Sequence, residues 1–295
     1  MQTNIDLAII GAQKAGTTAL KNYIGEHPDV LSHPHTEFTY FADDNEYETD
    51  DSIILKKYFG VTEKRTQKLV VKNVTLSFRE HTIERLYKHS PNCHLVLVIR
   101  EPISRAFSSY QMAVRSGWMD KPFSYAEKAI QNNANGQKDT FYRFMLDLGI
   151  YHKQLETIYK YFDKEKVSVF LFEDFKKDPL NICQQIFQIL GVKEDYMPNT
   201  NKKHNVGGLP RSKQFSRLLK KLKENNNPFK KLSKFILSEQ SFIKLSQSLS
   251  SFNLKKSEKI EMDSLTKGVL EEFYKPLNDE CSKLIGIDLN QMWYE

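Results

Sequence analysis

Apolar residues along this 295-residue chain alternate between short unbroken runs and longer stretches spaced at helical intervals. The unbroken runs are LAII from Leu7, LVVKN at Leu69 to Asn73, HLVLVIR at His94 to Arg100 and VSVFLF at Val167 to Phe172. Runs of this length predict strands covered on both faces. A shorter extended piece, HPDVL, ends near Ser32. Between the runs, helical spacing predicts helices from Thr17 to about His27, Arg79 to Lys88, Ser104 to Met119 and Tyr151 to Phe162. A further helix starts at Asp178-Pro179 and runs to about Leu190, with Asp as cap and Pro in the first position. LKKYF, at Leu55 to Phe59, reads as helix near the surface. Strands alternating with helices predict an α/β fold, a central and mostly parallel sheet of about five strands flanked by helices in three layers.

The pattern changes beyond Gly191. Asn199 to Gln214 is polar and turn-rich, Arg217 to Ser251 looks helical and basic, and Leu265 to Glu295 supplies a helix and a tail closing on Trp293. No linker or repeat separates these parts, so the expectation is one domain over 1–295, with a core sheet at about 5–192, a lid or helical extension at about 199–260 and a C-terminal helix and tail at about 264–295. With 40% hydrophobic residues the chain can bury such a core. Charge is uneven: Asn201 to Ile260 holds 15 Lys/Arg against 3 Asp/Glu, giving +12 there and −6 elsewhere. That segment either steers an anionic ligand or polymer or is a solvated lysine-rich face. Cys93, Cys183 and Cys281 are odd in number and widely spaced, which suggests neither a disulfide framework nor a zinc site and fits a reducing compartment. No apolar run is long enough to span a bilayer, and with the first strand starting at Leu7 no signal peptide is expected before it.

Two stretches carry chemistry. In LAIIGAQKAGTTAL, Gly11 and Gly16 bound a loop that can wrap an anion with backbone N–H groups, and Thr17 and Thr18 open a helix whose dipole favours negative charge. This makes the fold P-loop-like. The spacing is that of a nucleotide-binding Walker A loop, yet Thr17 stands where that loop needs Lys, and its lysine, Lys14, lies inside. In VIREPISRAFSSY, Arg100 leaves a strand at its C-terminal end and Ser108 lies in the following helix, so both could meet a dianionic phosphate. Alternatively Arg100 pairs with Glu101 and Ser108 merely packs.

QKAGTT resembles the 5′-phosphosulfate loop of sulfotransferases that use 3′-phosphoadenosine 5′-phosphosulfate (PAPS), and R-x-P-x-x-R-x-x-S-x-Y, with Arg100, Pro102, Arg105, Ser108 and Tyr110 in register, resembles their 3′-phosphate motif. Gly149-Ile150-Tyr151, VSVFLFEDFKKDP, ILGV and LIGIDLNQMW look like later landmarks of the same family in the same order. The nearest flavour is the bacterial and heparan-sulfate-type branch, whose K-E-x-x-F-F loop carries the base. Here Thr36-Glu37-Phe38-Thr39-Tyr40-Phe41 puts Glu37 on the base, with Thr36 replacing Lys and Tyr40 the first Phe. The resemblance implies Glu37 as general base, Lys14 stabilising the leaving phosphate oxygen, and Gln13, Ala15, Gly16, Thr17 and Thr18 with Lys14 binding the phosphosulfate. It implies Arg100 and Ser108 on the 3′-phosphate, Lys72 near the transferring sulfonate, and Arg211 as a donor contact in the turn Asn205 to Ser212. His33 and His35 are rival bases or simply exposed loop residues.

The resemblance further implies sulfonate transfer to a hydroxyl or amine, with adenosine 3′,5′-bisphosphate as product and no metal required. The acceptor it suggests is a glycan, possibly anionic, and neither nucleic acid nor a membrane span enters. Animal relatives in the family are usually Golgi-anchored; no anchor is expected in this chain, which is therefore expected to be a cytoplasmic, bacterial-type enzyme. Two other classes compete: a P-loop kinase or NTPase, poorly served by a strand ending in Arg100 where Mg2+ needs an acid, and a non-catalytic polyanion binder using the basic segment.

Overall fold

A computed structural model of the chain describes residues 4–49, 54–60, 66–119, 121–134, 140–201, 209–210, 212, 254–255 and 261–295. Two compact units emerge, one of Met1–Arg105, Leu146–His204 and Glu271–Glu295, the other of Ala106–Met145 and Asn205–Leu270.

The first unit is built on five parallel strands, β1 (Leu7–Gly11), β2 (Val30–Ser32), β3 (Lys68–Lys72), β4 (His94–Ile99) and β5 (Val167–Leu171), in the order β2-β3-β1-β4-β5. In register, Ile9 of β1 faces Lys72 of β3 and Val96 of β4. Leu7, Ala8, Ile9 and Ile10 are inaccessible to solvent, as are Leu95 to Ile99, which is why both runs read as continuous apolar sequence: neither face of a central strand meets water. β5 departs from that expectation. It is an edge strand, half-buried over most of its length, and the chain turns into a helix at Phe172.

The helices in chain order are α1 (Thr17–Ile24), the short α2 (Asp44–Tyr47), α3 (Glu80–His89), α4 beginning at Pro102 and ending at Arg115, α5 (Tyr125–Ala134), α6 (Thr140–Asp147), α7 (Tyr151–Ile158), α8 (Phe172–Lys177) and α9 (Pro179–Leu190). Asp178 caps α9 by accepting the N–H of Asn181, with Pro179 in the first turn as the sequence predicts. The segment Ile54–Phe59 forms a π-helical turn, and Ile54, Tyr58 and Phe59 are buried rather than superficial. Tyr58 is drawn inward by ring packing on Phe38 at 4.3 Å. α5 and α6, in the second unit apart from the end of α6, have no counterpart in the sequence reading; the second unit also holds a two-residue antiparallel pair, Leu209–Pro210 with Leu254–Lys255. Near the C-terminus stand α10 (Ser264–Ile285) and α11 (Leu289–Tyr294). The basic helical stretch expected at Arg217 to Ser251 lies outside the described residues. No helix among those described is long and apolar enough to cross a membrane.

Candidate active site

Because all five strands run the same way, the loops leaving β1 to β4 at their C-terminal ends gather on one edge, where open α/β sheets bind ligands. The loop after β1 is held tightly. The N–H of Ala12 donates to the Val98 carbonyl at 2.7 Å, and a Cβ on Gly11 would lie 2.9 Å from Ser77 Oγ and 3.0 Å from Leu97 Cδ1. Gly16 caps α1 in the left-handed region at φ 78°, where a Cβ would also meet the Phe175 ring at 2.9 Å. Gly16 has no side chain to cap with, and the first turn of α1 carries no acidic residue, so the positive end of the helix is uncompensated. Gln13, Lys14 and Thr18 are half-buried, Ala15 and Thr17 buried. Lys14 too adopts a left-handed backbone, φ 71°.

Arg100, at the end of β4, reaches this loop. Its Nη1 donates to the Lys14 carbonyl at 3.0 Å, and its guanidinium lies over the Phe172 ring at 4.7 Å. Glu101 is engaged elsewhere: its carboxylate accepts the N–H groups of Ile103 at 2.7 Å and Ser104 at 2.6 Å, capping α4. Ser108 is half-buried on α4 in the second unit. Arg211 lies outside the described residues.

The densest cluster sits at the end of β3. Lys72, only 1% exposed, places Nζ 2.6 Å from Glu37 Oε1, 3.0 Å from the Thr36 carbonyl and 3.2 Å from Thr18 Oγ1. One buried ammonium thus ties the phosphate-type loop to the loop that follows β2, so Lys72 is not a solvated strand-end lysine. Glu37 Oε2 accepts the N–H of Val74 at 3.0 Å, and the side chain keeps 30% of its surface exposed. Asn73 donates through Nδ2 to the Phe38 carbonyl at 2.9 Å, and Phe38 N–H donates to the Lys72 carbonyl at 2.8 Å, so the Glu37 loop is stitched to β3 on its far side as well.

The histidines separate. His35 is exposed, with Nε2 3.1 Å from the Lys57 carbonyl. His33 is buried, contrary to the expectation of an exposed loop residue, because the chain after β2 stays against β3: its Nε2 accepts the Lys72 N–H at 3.1 Å. Burial lowers its pKa to about 3, with the charges of Lys21, His35 and Lys72 acting the same way, so the ring is neutral and committed to the backbone. Buried, with Nε2 taken by the Lys72 N–H, His33 is poorly placed to take an acceptor proton. Sequence reasoning also missed Lys21. It belongs to the inward stripe Thr17, Leu20, Lys21, Ile24 of α1, and its Nζ donates to the carbonyls of His33 and His35, both at 2.8 Å. A lysine on the apolar face of an amphipathic helix was the available signal. Burial first, then the charge of Lys72, lowers its pKa to about 8, Glu37 opposing. Among the described residues no cluster of His, Cys, Asp or Glu could hold a metal ion.

These features define an open parallel α/β protein with a glycine-bounded loop feeding a helix N-terminus, and an ion-paired carboxylate beside it. The chain belongs to the sulfotransferase domain family, which matches residues 4–273. It is 28% identical over 186 residues to heparan sulfate glucosamine 3-O-sulfotransferase 5 of Mus musculus, covering 62% of this chain and 52% of that protein. It is 30% identical over 134 residues to the membrane-associated sulfotransferase kil1 of Dictyostelium discoideum, covering 43% of this chain and 27% of the other. The chain therefore spans about half of the first relative and about a quarter of the second. In fold it is similar to a crystal structure of a sulfotransferase from Alicyclobacillus acidocaldarius, with a TM-score of 0.68, 21% identity, and coverage of 99% of this chain and 100% of that one.

Proposed function

We propose that the chain transfers a sulfonate from PAPS to a carbohydrate hydroxyl or amine, by in-line attack with Glu37 as general base. The observation that carries this reading is the shared ammonium of Lys72, within hydrogen-bonding reach of both Glu37 and Thr18. Sulfuryl transfer needs a base for the acceptor proton, donors for the sulfonate oxygens and cations near the bridging oxygen as it leaves, and these three needs meet around that group. The loop fits an anionic donor: a Cβ-free cap, an uncompensated helix end and no acid in the first turn.

PAPS brings a sulfonate on a phosphate leaving group; the rest falls to side chains. An ionised carboxylate accepts at about four lone-pair positions. Glu37 spends one oxygen on Lys72 and the other on Val74 N–H, which leaves capacity for an acceptor hydroxyl at its exposed side. Lys14 and Lys72 neutralise developing negative charge, and Gln13 to Thr18 cradle the phosphosulfate. Arg100, already bonded to the loop, takes the 3′-phosphate, with Ser108 assigned to it on the motif alone. The carbohydrate acceptor is supported by the heparan-sulfate relative and by the +12 charge over Asn201 to Ile260.

The test is direct. Heparan sulfate treated with the protein and PAPS should gain one sulfonate per modified sugar by mass spectrometry. Glu37→Gln should lower that turnover by about two to four orders of magnitude while leaving adenosine 3′,5′-bisphosphate binding nearly intact. Undiminished turnover in the variant removes Glu37 from the role.

A further inference from the structure

Among the polar groups buried beside the Glu37 loop, Lys21 has no part in the reaction proposed above. It is 4% exposed on the core-facing stripe of α1, a position that a leucine or methionine would fill with a gain from burial. Taking an ammonium out of water costs several kcal/mol unless its hydrogen bonds are remade. Here they are remade on backbone: the carbonyls of His33 and His35. The Thr36 carbonyl is taken by Lys72. Three backbone acceptors of one irregular segment, all just before Glu37, thus end on two buried ammonium groups. Pro34 within it has no N–H to offer a regular ladder.

We propose that Lys21 is a positioning residue for the reaction: by fastening the His33 and His35 carbonyls it holds the segment from His33 to Glu37 in the geometry that sets the Glu37 carboxylate against Lys72. This rests on Glu37 being the base. The groups facing Lys21 are Lys72 from β3 and Glu37, His33 and His35 from the loop; of these Lys72 and Glu37 act on its charge most directly. Loss of its proton near pH 8 weakens both clamping bonds, because charge-assisted hydrogen bonds are about twice as strong as neutral ones.

Lys21→Met and Lys21→Arg test the assignment. In Lys21→Met, deuterium exchange across 33–38 should accelerate by about tenfold or more with exchange in β4 unchanged. PAPS turnover with heparan sulfate present should fall by about 10- to 100-fold, as expected for a misplaced catalytic group. The Kd for adenosine 3′,5′-bisphosphate should stay within about threefold. Lys21→Arg, charged at every working pH, should keep the slow exchange and carry the alkaline fall of turnover from near pH 8 to higher pH. Unchanged exchange in Lys21→Met, or equal losses in turnover and nucleotide binding, overturns the proposal. If Lys21→Met does not fold, an alkaline limb still near pH 8 in Lys21→Arg does so. Should Glu37→Gln keep full turnover, the base assignment fails and takes the positioning role with it; a normal Glu37 dependence beside a silent Lys21→Met removes Lys21 alone.

Discussion

At the scale of single residues, His33 couples the loop to acidity. Its ring must stay neutral to accept the Lys72 N–H, and burial holds its folded pKa at about 3 against an ordinary 6.5. Between those values the unfolded chain binds the proton and the native one does not, so stability is lost as pH falls from about 6.5 towards 3, by up to about 1.4 kcal/mol per pH unit for one group. His94, also lowered by burial, adds to the same trend. Denaturant midpoints measured from about pH 7 down to about pH 4.5 should therefore fall more steeply in the natural protein than in His33→Gln, where Gln can still accept the bond. Parallel slopes would show that His33 is not the group responsible. The rings of Phe38 and Tyr58, 5.9 and 6.3 Å from His33 between centroids, form part of its apolar surroundings.

At the scale of elements, the loop after β1 depends on two glycines for different reasons: Gly16 for its backbone angle, Gly11 for lack of room. Ser77 Oγ, which Gly11 would strike, cannot step aside easily, since it donates to Gln154 Oε1 at 2.7 Å and Gln154 in turn donates to the Leu148 carbonyl at 3.1 Å. Gly11→Ala is expected to cost about 1–3 kcal/mol as an overpacked core substitution. Gly268→Ala, exposed in α10 with nothing among the described residues within 4 Å of the new methyl, should instead raise stability by up to about 1 kcal/mol. Thermal unfolding of the two variants checks the contrast; a neutral Gly11→Ala would mean the loop has slack. Much of this edge was legible in sequence. Central strands announce themselves because both faces are dry, and the glycine spacing with Lys14 and Arg100 marks an anion loop wherever the strands fall. β5 misled because an edge strand can be apolar without being covered. Lys21 was legible only through its place on the apolar face of α1, whereas His33 and Tyr58 were not legible as buried groups, because their burial is decided by partners from other elements, Lys72 and Phe38.

At the scale of the molecule, the three functional classes weighed from the sequence predict different ligands, and each would leave a different mark on stability. A ligand at about 100 times its Kd stabilises the native state by about 2.7 kcal/mol. Adenosine 3′,5′-bisphosphate should raise the thermal midpoint without added metal, whereas ATP with Mg2+ should not. Heparin should raise it only through a surface such as the basic segment. A rise with ATP and Mg2+ alone would sink the sulfotransfer reading. Whatever binds, Lys72 imposes a condition on it. One ammonium, sealed from solvent, is shared by the Glu37 carboxylate, proposed to meet the acceptor, and by Thr18 of the loop proposed to hold the donor. Two binding events that each draw on that group are not thermodynamically independent, and reciprocity makes their influence symmetric: by whatever factor a donor alters the affinity for an acceptor, the acceptor alters the affinity for the donor.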